Sequence, residues 1–284
     1  MTEAKLSLSL INKHRIVDRA LGLNEPSGLT LNHDGTALYT VSDDTKAIFR
    51  LDLEGRVTVE ESFFIGVEDL EGIAISGDGH QLYAVQEDTN SVISFDIAAR
   101  AEINRQPLVG MENFASIAEH FPKRPDNKGL EGITVNTRSG HIVVVKECRP
   151  GLLIEIDLPQ GRILHSRLLT ESNGFSHPCL SIDKLDFSGL SYDSSRDTFW
   201  ITSDKGQCLF HYDWTNNRVI QRLDLNRKGD KPSSKVRKSE GVAIDPARQR
   251  LYVVSERDGD LFTYQIHSHC LLYTSDAADE TGRG

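Results

Sequence analysis

The chain has 284 residues, 38% apolar and 26% charged, with a formal net charge of −10 and a mean hydropathy of −0.37. That length and composition can bury a full core and argue against global disorder. The acidic surplus disfavours a nucleic-acid surface and suits a cation partner.

The N-terminus, "MTEAKLSLSLINKHR", holds no apolar run long enough for a signal peptide or a membrane span, so the sequence as it stands is expected in the cytoplasm. A motif then recurs five times, each copy a strand opening built on glycine: "EPSGLTL", "DLEGIAI", "GLEGITV", "DFSGLSY" and "KSEGVAI". The glycines are Gly28, Gly72, Gly132, Gly189 and Gly241, spaced by 44, 60, 57 and 52 residues. Each opening is followed by a turn and a second short run ending in charge: "ALYTVSDD", "QLYAVQED", "HIVVVKE", "TFWITSDK" and "LYVVSER". Third runs follow, among them "AIFRLD", "SVISFD" and "LLIEID". Asp34-Gly35, Asp78-Gly79 and Ser139-Gly140 supply the left-handed dihedrals of tight hairpins.

Short β-rich runs at a period near 50 residues, without helical periodicity, predict an all-β protein. The expected architecture is a β-propeller of five four-stranded blades spanning residues 10–266 as one domain. The segment Ile11 to Leu23 is expected to close the ring as the outer strand of the last blade. Residues 267–284 follow no part of the pattern, and "LLYTSDAADE" looks like translated sequencing-adapter sequence, so this tail is expected to be non-native or disordered.

From the residue before each glycine to the first acid closing the second run is always 16 residues: Ser27 and Asp43, Glu71 and Glu87, Glu131 and Glu147, Ser188 and Asp204, Glu240 and Glu256. In an antiparallel hairpin those two positions meet at one edge. If the first strand of each blade is innermost, its opening residues ring the central channel. Where Ser replaces Glu, an acid stands two residues earlier, Glu25 in "EPSG" and Asp186 in "DFSG", and Asp69 does the same beside Glu71. A ring of carboxylates repels itself, so either it is well hydrated or a cation neutralises it. Oxygen-only donors select a hard ion, Ca²⁺ above Mg²⁺, whereas zinc would want His or Cys in the register. Acids at strand ends also serve as solvated caps, so the fixed offset argues for the fold more strongly than for a metal.

The connection before the fifth unit, "NRKGDKPSSKVRKSE", carries Arg227, Lys228, Lys231, Lys235, Arg237 and Lys238. It can overhang the channel mouth and attract a small anionic group, or be a solvated basic loop. Without aromatic interleaving it makes no nucleic-acid surface. No nucleophile elbow, phosphate loop or zinc-protease helix occurs, and His177 in "GFSHPCLS" is the one histidine placed to reach the carboxylate face. The four cysteines, Cys148, Cys179, Cys208 and Cys270, stand singly and read as free thiols.

The ordered set "EPSGLT", "LEGIAI", "GLEGIT" and "SEGVAID", with "LYVVSE", resembles the SdiA-regulated family, found mainly in bacteria, over residues 10 to 266. The resemblance implies a calcium-binding β-propeller of undefined molecular role, often attached to or exported across the inner membrane by an N-terminal segment. More distantly the fold is similar to calcium-dependent lactonases and phosphoesterases. The expected function is therefore a calcium-stabilised binding or scaffold module, a monomer taking a small anionic ligand or peptide on its carboxylate face. The alternative is a calcium-dependent hydrolase of a lactone or phosphate ester, using metal-activated water.

Overall fold

The structure, a computed structural model, describes residues 5–42, 45–122, 128–226, 229–231 and 234–269. The described residues form twenty strands in five antiparallel four-stranded sheets, each a blade. Blade 1 holds β1 to none of its own strands; it is built from β2 (Pro26–Leu31), β3 (Ala37–Ser42), β4 (Thr45–Asp52) and β5 (Phe63–Phe64), whereas β1 (Lys5–Arg15) belongs to the last sheet. Blade 2 comprises β6 (Leu70–Ile75), β7 (Gln81–Gln86), β8 (Ser91–Asp96) and β9 (Ala101–Pro107). Blade 3 comprises β10 (Leu130–Val135), β11 (Ile142–Lys146), β12 (Leu152–Asp157) and β13 (Arg162–Leu168). Blade 4 comprises β14 (Leu190–Asp193), β15 (Thr198–Ser203), β16 (Cys208–Asp213) and β17 (Arg218–Asp224). Blade 5 comprises β18 (Ser239–Asp245), β19 (Arg250–Ser255), β20 (Asp260–His269) and, outermost, β1.

The ring thus closes between the two ends of the chain, as expected, but on a strand displaced toward the N-terminus. The closing strand is Lys5–Arg15, not Ile11 to Leu23, and it pairs with β20 from Lys5↔His269 to Arg15↔Asp260. The reason lies in "KLSLSL", whose alternation drives Leu6 and Leu8 into a core with Trp200, Leu209 and Phe262 while the serines face outward. Ser7 and Ser9 then hydrogen-bond His269 and His267, each at 2.8 Å. Strand β20 consequently runs through His267–His269, which the repeat pattern had left outside the domain. The expected tail from 270 onward lies outside the described residues.

What sets the geometry at the axis is the glycine ring. A Cβ on Gly28 would lie 2.8 Å from Gly72 Cα, one on Gly72 2.5 Å from Glu131 O, and one on Gly132 2.2 Å from Ser188 O. The circuit continues with Gly189 (2.5 Å from Glu240 O) and closes with Gly241 (2.5 Å from Ser27 O). None of these glycines has the positive φ that would itself require glycine; the constraint is backbone against backbone. The collar leaves only about 10 Å³ at its waist, about the room of one water, so the axis is divided into a cup on each face. No helix among the described residues is long and apolar enough to cross a membrane.

Gly132→Ala must displace the neighbouring blade's backbone, and it is expected to lower unfolding free energy by more than about 2 kcal/mol. Gly77, on a turn where an added Cβ meets nothing within 4 Å, is the control. Gly77→Ala should change stability by less than about 0.5 kcal/mol, both read from urea unfolding midpoints.

Candidate metal centre

The inner glutamates reach the axis through a local irregularity. In blade 2 the ladder pairs Leu70↔Gln86 and then Gly72↔Val85, passing over Glu71. Blade 3 pairs Leu130↔Lys146 and then Gly132↔Val145, passing over Glu131. Blade 5 pairs Ser239↔Ser255 and then Gly241↔Val254, passing over Glu240. Each glutamate is the extra residue of a β-bulge, which releases it from the pleat and re-aims its side chain. Two residues before Glu71 and Glu240, Asp69 and Lys238 are held at φ +64° and +54°, a left-handed backbone that side chains adopt at a cost of about 1 kcal/mol or more.

The result is a cup of about 280 Å³ lined by Glu71, Glu87, Glu131, Glu147, Asp186, Asp204, Glu240 and Glu256, together with Ser188, Lys205 and Lys238. Eight carboxylates face two lysines, a formal surplus of six negative charges. Of the eleven acids named in the sequence, eight therefore line the cup, and Asp69 adjoins it in a group with Glu71 and Glu87. Glu25 is exposed and does not line the cup, unlike Asp186 at the matching place in blade 4. Asp43 lies outside the described residues. His177 is also absent from the lining; its Nδ1 accepts the backbone N–H of Cys179 at 3.1 Å.

The cup is not symmetric. On the side of blades 4 and 5, Lys205 Nζ lies 3.1 Å from Asp186 Oδ2 and 3.7 Å from Glu147 Oε1. Lys238 Nζ pairs with Glu256 and lies 3.8 Å from Glu240 Oε1. Asp186 is fixed by Ser203 Oγ at 3.0 Å and the backbone N–H of Lys205 at 2.9 Å, and Ser188 donates to Glu240. On the side of blades 2 and 3, one carboxylate oxygen from each of Asp69, Glu71 and Glu87 lies within 4.8 Å of the other two, as in the group of Glu87, Glu131 and Glu147. Glu87 is common to both groups and is braced by the N–H of Gly129 at 2.9 Å, while Asp69 accepts the N–H of Asp88 at 2.7 Å.

Crowding shows in the protonation equilibria. Burial, then the charges of Glu71, Glu240, Glu87 and Glu147, holds the Glu131 carboxyl well above the ordinary range. Burial and Glu256 push Glu240 up to about 8 against the counteracting Ser188 hydrogen bond. Glu87 and Asp204 are raised as well, each first by burial, then by Asp69 and Asp186 respectively. Burial opposes the charge on Lys238, yet Glu256 and Glu240 keep its pKa above that of an ordinary lysine.

Sequence reasoning overlooked Lys205, which follows the acid in "TFWITSDK", and did not assign Lys238 to the carboxylates. It also overlooked the bulges, although a glycine directly after an inner glutamate in three copies is their sequence signature.

The family question is decided by the match along the chain: the SdiA-regulated family profile covers residues 12–265. The chain belongs to the SdiA-regulated family. A comparison with curated proteins finds no match. Among solved structures, this SdiA-regulated protein is similar to a glutaminyl cyclase from Myxococcus xanthus, at 12% identity and a TM-score of 0.64 over 94% of this chain and 100% of that one. It is also similar to the Cps50 (Swd1) β-propeller domain of Myceliophteria thermophila, at 12% identity and a TM-score of 0.51, covering 89% of this chain and 99% of the other. At such identities the likeness is one of fold.

The raised carboxyls give the protein a defined pH response. Glu240 binds its proton up to about 8 when folded and only to 4.5 when unfolded, so between those values the folded state holds more protons and stability falls as pH rises. Metal-free protein is expected to lose stability progressively across that window, with Glu240→Gln flattening the loss: little change at the acid end, a gain at the alkaline end. Urea midpoints measured across the window check this.

Proposed function

We propose that this protein is a calcium-binding β-propeller whose acidic cup holds the ion and presents it, with the surrounding face, to a ligand. The observation that carries the reading is the pair of three-carboxylate groups of blades 2 and 3 that share Glu87, the second of which Lys205 approaches at Glu147, 3.7 Å away. Within each group, one oxygen of each residue lies within 4.8 Å of the other two. Calcium bonds oxygen at roughly 2.3–2.6 Å, so two ligands on opposite sides of it stand about 4.6–5.2 Å apart. Magnesium demands a near-ideal octahedron and keeps several waters, which suits a cluster of many flexible carboxylates less well than calcium's roughly six to eight oxygen ligands. No His or Cys is among the described lining residues, which leaves a hard-ion donor set. Asp69, Glu71, Glu87, Glu131 and Glu147 would hold the ion, and Lys205 and Lys238 balance the other half of the rim.

On this reading the primary role is that of a binding module. Calcium offsets the repulsion among acids that the fold forces together, and the cup mouth recognises a small anionic ligand or a peptide. Hydrolysis of a lactone or phosphate ester is a second reading, favoured by Glu240, whose carboxyl at about 8 lies close enough to neutral pH for proton transfer, chiefly as the protonated acid. Calcium would supply polarisation of the ester and activation of a water there.

Calcium titration by calorimetry is expected to release heat and to raise the melting temperature, the shift growing with pH as the ligands lose their protons. Glu87→Gln should weaken calcium binding more than tenfold, about 1.4 kcal/mol, and Glu256→Gln by much less. Absence of both heat and melting shift in the parent protein would refute the ion. For the second reading, calcium-dependent turnover of lactone and phosphate-ester panels should be lost in Glu240→Gln while calcium binding persists.

A further inference from the structure

A second cavity opens beside the acidic cup, between blades 4 and 5. It encloses about 450 Å³, and its charged lining is Lys205, Lys235, Arg237, Lys238 and Arg257 against Asp204. Five cations facing one acid run counter to a chain whose formal charge is −10. Three of them already have carboxylate partners: Lys205 and Lys238 in the cup, and Arg237 with Asp258 at 3.7 Å. Lys235 and Arg257 make no ion pair among the described residues.

The wall is built rather than draped. Asn226 Nδ2 donates to Val236 O at 2.8 Å, and its Oδ1 accepts the N–H of Val236 at 2.8 Å, a reciprocal clamp across the base of the loop. Val236 is buried, and Ser255 Oγ holds the carbonyl of Arg237. Asn226 Nδ2 also donates to Gln207 Oε1 at 3.0 Å, which ties the Gln207 amide to the cavity wall it lines.

We propose that this cleft binds the phosphate group of a small organic phosphate. A phosphate monoester carries about −1.5 to −2 charge and three acceptor oxygens near neutral pH. Lys235 and Arg257 match that charge, the guanidinium fork of Arg257 takes two oxygens, and Gln207 donates to the third. The volume falls within the roughly 300–1,000 Å³ of small-molecule sites, so an organic portion fits alongside the phosphate. Asp204, Lys205 and Lys238 line both cavities and form the partition between them, across which the organic portion can extend toward the cup. Lys235 and Arg257 do not line the cup, so the site stands independently of calcium.

The test uses calcium-free protein with inorganic phosphate and glucose 6-phosphate as probes, followed by calorimetry. Both are expected to bind with dissociation constants up to about 1 mM, glucose 6-phosphate the more tightly. Lys235→Gln combined with Arg257→Gln, both exposed positions, should weaken binding about tenfold or more while leaving the ligand-free melting temperature unchanged. In the parent protein, glucose 6-phosphate should slow phenylglyoxal modification of Arg257, a readout that does not depend on the variant folding. No binding of either probe, equal binding by the double variant, or undiminished Arg257 modification would overturn the proposal, whatever the outcome with calcium.

Discussion

The structure depends on five inner strands approaching one another so closely that only glycine fits where they touch. Gly28, Gly72, Gly132, Gly189 and Gly241 each place a hydrogen where a Cβ would run into the next blade's backbone. That contact brings the openings of all five blades to one axis. It therefore also decides where the residue beside each glycine must be. A glutamate there has no option of facing bulk solvent alone; it is delivered to a rim shared with its counterparts. Packing at the collar and chemistry in the cup are thus one constraint seen from two sides.

Such delivery has an electrostatic consequence. Eight carboxylates in about 280 Å³ oppose their own ionisation, and burial adds to the opposition, as the raised carboxyls of Glu131 and Glu240 record. The fold relieves the strain unevenly. Lys205 and Lys238 sit at the rim of blades 4 and 5, where Ser188 also takes the place of a glutamate. The carboxylate groups of blades 2 and 3 share Glu87 and are braced by backbone N–H groups at Glu87 and Asp69. A rim that is zwitterionic on one side and oxygen-rich on the other discriminates positions around it, which a five-fold ring of identical acids could not do.

The same lysines link two regions of opposite character. They face carboxylates on the cup side and join Lys235, Arg237 and Arg257 on the other. A ligand spanning this partition would meet cationic and anionic surfaces within one footprint, an arrangement that excludes simple polycations and polyanions alike. The likeness to the glutaminyl cyclase structure speaks to the scaffold, since one propeller can carry unrelated sites.

The sequence by itself determined the blade number, the hairpin turns and the meeting of Glu71 with Glu87, Glu131 with Glu147, and Glu240 with Glu256, because these follow from a repeat with a fixed 16-residue offset. It also held, in the alternation of "KLSLSL", the closing strand that was expected several residues later. Only the tertiary structure decided that the inner glutamates are bulged, that Lys205 and Lys238 neutralise one side, that Glu25 stays outside, and that a cationic cleft adjoins the cup. The physical reason is range. Strand periodicity and turn chemistry act between near neighbours and are written in each repeat, whereas the charge a carboxylate meets across the axis comes from other blades, up to 169 residues away in the case of Glu71 and Glu240, and is fixed only when the ring closes.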